Sequence, residues 1–379
     1  MSNSKGDGLR LTVDVVSLSS GTWPISAREA WEQLFAIRSD YGPYHTPCWV
    51  SCWISQFARE VCASQLVVRT PEGTPVGTCI IGRKDIGRRF VSLRRGFLNT
   101  DGEAEHDSVV VEHNALLLHR DFEPAVCRLI RLYIEDAGLD EFRVRGADVG
   151  LVAPLAAEMQ GWRRDIEPHR SPYIDLSVQP YFERLGRNTR QQLERTRKFY
   201  EQAGPVVVEC PVAPVMALDA FDEMVSLHNA YWRGKGQDGA FATARRLAFH
   251  RSLVSVAAPA GEIELVRVRS GNGIVGILYN LTANGRVAYY QSGISYPDDV
   301  RIKPGLFLHR LAVDAYARRG FLEYDFLPSP LGEGHYKERL ATQHHELVTI
   351  TFQRPGVRRT AFQLARLMRH FFRANRTNA

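Results

Sequence analysis

The sequence predicts a mixed α/β protein with two domains. Its 379 residues exceed the length of one typical domain. Segments with helical periodicity alternate along the chain with short segments rich in β-branched and aromatic residues. The dipeptides Asn272-Gly273 and Asn284-Gly285 each separate two such strand segments, which is a strong signal for antiparallel hairpins.

The first half of the chain has the element order of a mixed α/β domain. We expect helices at residues 27–36, 49–58, 122–137 and 151–160. We expect strands at residues 65–69, 76–83, 90–94, 141–145 and 171–176. Pro71-Glu72-Gly73 provides the turn between the first two of these strands.

The second half begins with a long basic helix predicted at 181–204. Further helices are expected at residues 217–231, 243–257, 306–319 and 335–340. Strands are expected at residues 206–209, 262–269, 273–282, 286–295, 322–327 and 346–353. Both halves share a crude order of two helices, antiparallel strands, a helix, a strand, a helix and a strand. This order suggests a duplicated fold.

The same signals divide the chain into four contiguous parts. They are an N-terminal domain (1–178), a linking basic helix (179–204), a C-terminal domain (205–355) and a basic amphipathic C-terminal helix (356–379). Hydrophobic residues make up 44% of the chain, which allows a sizeable core. We expect a cytoplasmic protein, because the sequence has no run of eighteen apolar residues and its first ten residues lack the apolar segment of a secretory signal.

Cysteine usage gives no sign of a metal site. Cys48 and Cys52 are four residues apart among tryptophans, and no second cysteine pair at ligand spacing accompanies them. We expect buried thiols and no bound metal. The net charge of +6 is concentrated in three basic segments, at residues 83–95, 181–200 and 354–379. Such segments suit an anionic partner, either coenzyme A phosphates, a tRNA or a membrane surface, although solvated helix faces have the same composition.

The most informative stretch is a strand followed by a short basic loop and a helix. The strand ends in Tyr289-Tyr290-Gln291-Ser292-Gly293-Ile294, and the loop reads Arg301-Ile302-Lys303-Pro304-Gly305-Leu306. The first turn of a helix has unpaired backbone N–H groups, and the helix dipole adds a partial positive charge. The loop is therefore a candidate phosphate site.

These residues, with others, resemble the GNAT acetyltransferase superfamily. The similar branch is associated with bacterial cellulose and exopolysaccharide gene products and is related to Fem-type aminoacyl-tRNA-dependent peptidyltransferases. The resemblance covers about residues 25–355 and rests on several short motifs: Arg187-Asn188-Thr189-Arg190, Trp232-Arg233-Gly234-Lys235, Tyr289-Tyr290-Gln291-Ser292-Gly293, Lys303-Pro304-Gly305, Tyr324-Asp325-Phe326-Leu327 and Tyr336-Lys337. It implies tandem GNAT-like α/β (α+β) domains, each a mixed, largely antiparallel sheet flanked by helices.

The resemblance implies an acyl-CoA or acetyl-CoA donor bound by the loop residues Arg301, Lys303, Pro304, Gly305 and Leu306. The loop departs from the common GNAT pattern because Pro304 replaces its first glycine. Proline has no N–H group, so one phosphate donor is lost. Aminoacyl-tRNA is therefore the alternative donor.

The candidates for catalysis are Asp325, Tyr336, Lys337 and Tyr290. Asp325 would act as a base or orient the acceptor, Tyr336 would protonate the leaving thiolate, and Lys337 would neutralise charge in the tetrahedral intermediate. A structural role is the alternative: Asp325 would be the partner of an arginine or of a backbone turn, and Tyr336 would pack. Strand alternation places Tyr290 and Gln291 on opposite faces, so we expect at most one of them to face the cleft. We expect the donor to lie between strands 273–282 and 286–295.

An anionic or sugar acceptor would bind near residues 228–241. The candidate residues are His228, Trp232, Arg233, Lys235 and Gln291. Packing is the alternative role for each. The arginine-rich C-terminal segment, 355–379, would contact an anionic membrane or RNA, or cover the second domain.

Three functions remain open from the sequence. The first is transfer of an acyl group from acyl-CoA to an amine or hydroxyl of a small-molecule or saccharide-like acceptor. The second is aminoacyl transfer from a tRNA. The third is a non-catalytic GNAT scaffold in polysaccharide biosynthesis.

Overall fold

A computed structural model describes residues 10–88, 91–102, 109–178, 180–271, 273–328, 335–356 and 360. The helices of this part are α1 (Ile25–Ala36), α2 (Pro47–Phe57), α3 (Glu123–Asp136), α4 (Val149–Glu158), α5 (Arg187–Ala203), α6 (Pro214–Gly234), α7 (Ala244–Ala257), α8 (Pro304–Arg318) and α9 (His335–Leu340). The strands are β1 (Thr12–Ser17), β2 (Ser64–Arg69), β3 (Pro75–Arg88), β4 (Val91–Leu98), β5 (Leu117–Leu118), β6 (Glu141–Asp148), β7 (Arg163–Asp175), β8 (Val206–Glu209), β9 (Ile263–Ser270), β10 (Gly273–Ala283), β11 (Arg286–Ile294), β12 (Glu323–Asp325) and β13 (Gln343–Gln353).

The described residues form two compact units, and neither is continuous in sequence. The first unit contains residues up to Arg38, Trp53–His169 and the residues from Leu347 onward. The second unit contains Ser39–Cys52 and Arg170–Glu346. The contiguous division into residues 1–178, 179–204, 205–355 and 356–379 stays a prediction. The C-terminal helix of that division falls outside the described residues, apart from residues 356 and 360.

The first unit has a mixed sheet with the strand order β1-β2-β3-β4-β6-β13. Strands β1 to β4 are antiparallel, β4 and β6 are parallel, and β13 pairs antiparallel with β6. Helix α3 buries Val126, Cys127, Ile130 and Ile134 in a core that includes apolar side chains of β2, β3, β6 and β13. These α3 positions are spaced three or four apart, so they share one helix face.

The second unit repeats this arrangement with the order β8-β9-β10-β11-β12-β7. Strands β8 to β11 are antiparallel, β11 and β12 are parallel, and β7 pairs antiparallel with β12. The structure therefore supports a duplicated fold. Strand β7, the last strand of the first half of the chain, pairs with β12 in the sheet of the second half. Strand β13, the last strand of the second half, pairs with β6 in the sheet of the first half. This exchange explains why the units are discontinuous in sequence.

Local chemistry explains the tightest hairpin of the second unit. Asn284 and Gly285, between β10 and β11, have φ angles of 50° and 75°. Two consecutive positive φ angles match the twist of antiparallel strands, and asparagine and glycine tolerate them best. The hairpin predicted at this dipeptide is confirmed.

Three local predictions were wrong. The linking helix begins at Arg187, not Tyr181, because residues 181–184 form a separate 3₁₀ turn that ends before Gly186. Residues Trp232 to Gly234 lie in the last turn of α6 and not in a loop after it. Strand β1 was missed, because its residues are half exposed at a sheet edge and give a weak periodic signal.

Among the described residues, no helix has both the length and the apolar character that a membrane crossing requires.

Helix α6 and strand β11 pack at backbone distance. A Cβ atom built on Gly293 would lie 2.2 Å from the carbonyl oxygen of Met224. Met224 is a buried residue of α6, so only glycine at position 293 allows this approach. The contact holds α6 against the second half of β11.

We expect Gly293→Ala to lower the free energy of unfolding by about 1–3 kcal/mol, because the added methyl group meets a rigid backbone atom. Urea denaturation measures the change. Gly356→Ala is the control, since a Cβ at Gly356 has no atom within 4 Å, and it should shift stability by less than about 0.5 kcal/mol. Equal stability of the two variants would contradict the close packing.

Candidate active site

The second unit contains a cavity of about 990 Å³. Its walls come from α5, α6, β11, the loop after β11, the start of α8, and α9. The lining residues are Thr189, Gln192, His228, Tyr231, Trp232, Lys235, Tyr289, Tyr290, Gln291, Ser292, Ile294, Tyr296, Pro297, Val300, Ile302, Lys303, Pro304, Gly305, Leu306, Tyr336, Lys337 and Arg339. Cavities of this size are typical of small-molecule and cofactor sites.

The cavity is open because β12 stops early beside β11. Their parallel pairing ends at Ala288 and Asp325, whereas β11 continues to Ile294. In the described part of the chain, no strand pairs with this edge of β11 beyond Ala288. The expected cleft between residues 273–282 and 286–295 was wrong, because β10 and β11 are paired from end to end.

A β-bulge at Tyr290 changes the direction of the side chains on β11. Opposite β10, Tyr279 pairs with Gln291 and Asn280 pairs with Tyr289, so Tyr290 is the extra residue. A bulge interrupts the alternation of side chains. Tyr290 and Gln291 both contribute to the lining of the cavity. The hydroxyl of Tyr290 is 3.1 Å from Nε2 of the buried His250, and its ring lies against those of His250 and Tyr279, so its side chain is directed into the core. The expectation that at most one of the two side chains faces the cavity stays a prediction.

The N-terminus of α8 forms one wall of the cavity. Lys303 is the N-cap residue, and the first turn contains no acidic residue. The amides of Gly305 and Leu306 belong to the first helical turn, where no intrahelical acceptor exists. The amide of Lys303 donates to Oγ1 of Thr196 on α5, which fixes the loop. Lys303, Pro304, Gly305 and Leu306 were predicted for the donor and all line the cavity.

Arg301 was also predicted to bind the donor, but it is not among the cavity-lining residues. Its guanidinium is paired with the carboxylate of Asp299 at 2.8 Å. The two side chains are two residues apart in an exposed turn, so the pair stabilises the loop locally.

The lining of the cavity is positively charged. Four cationic side chains contribute, Lys235, Lys303, Lys337 and Arg339, and among the described residues the lining contains no aspartate or glutamate. An anionic ligand is therefore favoured. No cluster of three or more potential metal-ligating side chains occurs in the described residues.

The phenols of Tyr336 and Tyr289 both contribute to the cavity wall. The hydroxyl of Tyr289 is 2.7 Å from Oγ of Ser292. Tyr336 is 39% exposed, but desolvation within the cavity, followed by the nearby Tyr289, raises its pKa well above the ordinary value. Burial also raises the pKa of Tyr289. Tyr336 therefore stays protonated at neutral pH and can donate a proton.

Behind these phenols lies His309 of α8. Its ring is fully buried, 4.6 Å from the ring of Tyr289 and stacked on Tyr336 at 5.9 Å. Nδ1 of His309 is 2.9 Å from the hydroxyl of Tyr324. Burial lowers the pKa of His309 to about 3, with Lys337 as a second cause, so the imidazole is neutral.

Lys337 and Asp325 are connected through a turn. The ammonium of Lys337 donates to the carbonyl oxygen of Phe326 at 2.9 Å and lies 5.4 Å from the ring centre of Tyr289. Asp325 is buried, and its Oδ1 accepts from the amide of Leu327 at 2.7 Å and from the hydroxyl of Ser171. Leu327 has a φ of 60°. Asp325 therefore stabilises the strained turn that presents the Phe326 carbonyl to Lys337. It is not among the cavity-lining residues.

His228 connects α6 to both neighbouring segments of the site. Its Nδ1 is 2.9 Å from the carbonyl oxygen of Ser292, and its Nε2 accepts from the amide of Ala240 at 3.0 Å. The ring is therefore neutral with the proton on Nδ1, and burial lowers its pKa. His228 lines the cavity, but both of its nitrogens have structural partners.

The other predicted acceptor residues divide into two groups. Trp232, Lys235 and Gln291 line the cavity. Arg233 does not, and its guanidinium donates to the carbonyl oxygen of Asn229 in an exposed position.

Sequence reasoning missed several lining residues. The most important are Tyr231, Tyr289, Ser292, Tyr296 and Arg339. Tyr289 and Ser292 lie in the motif that attracted attention to β11, but strand alternation was applied only to Tyr290 and Gln291. Tyr231 and Tyr296 come together only through the packing of α6 on β11.

The equivalent region of the first unit lacks these features. Helix α3, which occupies the place of α8, has Glu123 in its first turn, and Glu123 forms an ion pair with Arg38. Strand β4 ends at Leu98, one residue after its last pair with β6. The start of α3 thus carries an acidic side chain, unlike the start of α8, and the strand edge beside β6 is short.

The comparison with protein families matches the part of the second unit that contains the cavity. Residues 187–338 match the family model described as an acetyltransferase (GNAT) domain. This range runs from the start of α5 to α9 and contains every lining residue except Arg339. No curated protein sequence is significantly similar to the chain.

Two solved structures extend the likeness to most of the chain. FemX is 10% identical, with 80% of this chain and 90% of that chain covered and a TM-score of 0.55. L-PGS from Bacillus licheniformis is 11% identical, with 89% of this chain and 95% of that chain covered and a TM-score of 0.54. At such identities the likeness concerns the fold. The predicted fold class is confirmed, and residues 187–338 are similar to a GNAT acetyltransferase domain.

The buried His250 makes stability depend on pH. Its nitrogens are each 3.1 Å from a hydroxyl, Nδ1 from that of Tyr279 and Nε2 from that of the bulge residue Tyr290. Burial, followed by the charge of Arg246, lowers the pKa of His250 to about 3. In the unfolded chain a histidine has a pKa of about 6.5. The stabilisation is therefore complete above about pH 6.5 and is lost as the pH falls toward 3.

We expect the free energy of unfolding to fall less steeply with decreasing pH in His250→Phe than in the wild type. The difference between the slopes should approach about 1.4 kcal/mol per pH unit below pH 6. Urea denaturation at several pH values from 7 to 4.5 measures both slopes. Because the slopes are compared, a constant loss of stability in the variant does not matter. Equal slopes would show that His250 already binds a proton in the folded protein.

Proposed function

We propose that the protein transfers an acyl group from acyl-CoA to an amine or hydroxyl of a small-molecule or saccharide-like acceptor. The observation that supports this most is the open edge of β11, which lies beside an acid-free helix N-terminus in the range that matches the GNAT domain. N- or O-transfer, the cellulose and exopolysaccharide branch, and the cytoplasmic location stay predictions.

The pyrophosphate of coenzyme A would bind at the start of α8. The amides of Gly305 and Leu306 and the ammonium of Lys303 are available there, whereas Pro304 has no N–H to offer. The pantetheine chain contains amide groups. It would run along the unpaired edge of β11 in the place of a missing strand, which brings the thioester toward the bulge at Tyr290.

The acceptor nitrogen or oxygen would attack the thioester carbonyl carbon and form a tetrahedral intermediate. Lys337 and backbone amides of β11 would stabilise its oxyanion. As the intermediate collapses, the carbon–sulfur bond breaks and Tyr336 would protonate the departing thiolate. The acceptor's proton would leave to water, since the described residues of the lining include no carboxylate. Asp325 would act as a positioning residue for Lys337.

Aminoacyl-tRNA is the second candidate donor. Two observations favour it: Pro304 removes one amide from the phosphate site, and α5 carries the exposed cations Arg187, Arg190 and Arg195 beside the lining residues Thr189 and Gln192. A row of cations leading into a cavity suits a polyanion. With aminoacyl-tRNA as the donor, Lys337 would still stabilise the oxyanion of the tetrahedral intermediate.

We expect isothermal titration to show acetyl-CoA binding that weakens about tenfold in Lys303→Ala, which corresponds to about 1.4 kcal/mol. Arg301→Ala is the matched control. Its guanidinium is already paired with Asp299 outside the cavity, so the variant should bind like the wild type.

Two outcomes of this titration would contradict the proposal. Equal weakening of acetyl-CoA binding in both variants would show that the phosphates do not bind at the start of α8. The titration could also show no heat with acetyl-CoA or free coenzyme A. If nuclease treatment then abolished the activity, the donor would be aminoacyl-tRNA and not acyl-CoA.

We expect Tyr336→Phe to lower kcat by about 100-fold, because the thiolate loses its proton donor, with unchanged binding of acetyl-CoA. Release of the free thiol measures the rate. Tyr173→Phe is the control, since the Tyr173 hydroxyl bonds Gln343 and is not part of the lining. If kcat is unchanged in Tyr336→Phe, the proton comes from another group.

A further inference from the structure

One wall of the cavity has residues that donor binding does not use. Tyr231 and Trp232 of α6 and Tyr296 from the loop after β11 line the cavity together. The rings of Tyr231 and Tyr296 are stacked, with their centres 5.1 Å apart. Tyr231 and Trp232 meet edge to face with centres 5.6 Å apart. We call these three residues the aromatic wall.

Lys235 adds a positive charge to the aromatic wall. Its ammonium lies 4.5 Å from the ring centre of Tyr231 and 5.7 Å from that of Trp232. These contacts hold the charge against two ring faces. Lys235 makes no ion pair with a carboxylate in the described part of the chain, so its charge is available to a ligand.

The other cations already have places in the proposed donor site. Lys303 is at the start of α8, where a pyrophosphate would lie, and Lys337 is bound to the Phe326 carbonyl beside Tyr289. Lys235 is on α6, next to the aromatic wall. The charge of Lys235 is thus left for the acceptor.

The absence of acids decides which acceptors fit. A cationic acceptor entering this lining would meet four positive side chains and, among the described residues, no carboxylate. A more suitable acceptor is a molecule that carries a neutral amine or hydroxyl, an acid group and a ring. Its acid group would contact a cation of the lining, and its ring would contact the aromatic wall. The same positive field lowers the pKa of a bound amine, which keeps it in the nucleophilic, neutral form.

We propose that the aromatic wall and Lys235 form the acceptor subsite. Its ligand would be a small molecule in which a ring carries a carboxylate or phosphate group. The inference rests on the proposed function for the role of this ligand as an acceptor, but its binding can be measured without any donor.

The test uses fragments that differ only in charge. Ligand-observed NMR with the full-length protein compares 3-phenylpropionate, 3-phenylpropionamide and 3-phenylpropylamine, and phenyl phosphate separates a preference for phosphate from one for carboxylate. We expect the acids to bind about tenfold more tightly than the amide, and the amine to bind most weakly.

The variants test the residues. Lys235→Ala should remove the preference for acids, and Lys235→Glu should reverse it in favour of 3-phenylpropylamine. Tyr296→Ala should weaken all four fragments. Lys198→Ala is the matched control, because Lys198 is an exposed lysine outside the lining, and it should change nothing. Circular dichroism checks that each variant is folded.

Three results would overturn the inference. They are equal binding of acid and amine, an unchanged preference in Lys235→Ala and Lys235→Glu, and displacement of the acids by acetyl-CoA, which would place them in the donor site. These results differ from those expected if only the proposed function were wrong. In that case acetyl-CoA would give no heat in the titration, but the protein would still prefer the acidic fragments.

Discussion

The early end of the pairing between β11 and β12 is the constraint on which the site depends. Backbone N–H and C=O groups at a sheet edge need partners, and here β12 satisfies them only as far as Ala288. Beyond that point no strand pairs with this edge of β11 among the described residues, and the four successive residues Tyr289 to Ser292 contribute to the lining of the cavity. The start of α8, the phenols and Lys337 lie beside this edge.

A duplicated fold does not produce two equivalent sites. The two sheets have the same strand order, yet their chemistry differs at the helix that follows the fourth strand. In the first unit Glu123 and Arg38 neutralise one another at the start of α3, whereas in the second unit the start of α8 has only Lys303. An acidic side chain in the first turn of a helix lowers the attraction of that helix start for a further anion. The two helix starts therefore differ in charge although the sheets share their strand order.

Several polar residues of the second unit act through the backbone and not on a ligand. His228 holds the carbonyl of Ser292 and the amide of Ala240, and Asp325 holds the turn at Leu327 that orients the partner of Lys337. Gly293 allows α6 to approach β11 closely enough for His228 to reach Ser292. The site is thus fixed by hydrogen bonds from residues that sequence reasoning placed in direct contact with substrate.

The sequence by itself determined the elements whose signals are local. The hairpin at Asn284-Gly285, the helix from Pro304 to Arg318 and the short helix from His335 to Leu340 follow from turn chemistry, capping and apolar periodicity, and the donor loop was predicted from the same signals. Only the tertiary structure decided which strand edge opens, which residues of β11 face the cavity, and that Tyr231 meets Tyr296. A bulge and an early strand end depend on the register between distant segments, and no local pattern encodes that register. For the same reason, Asp325 resembled a catalytic base in the sequence, but in the fold its carboxylate bonds Ser171 and the turn at Leu327.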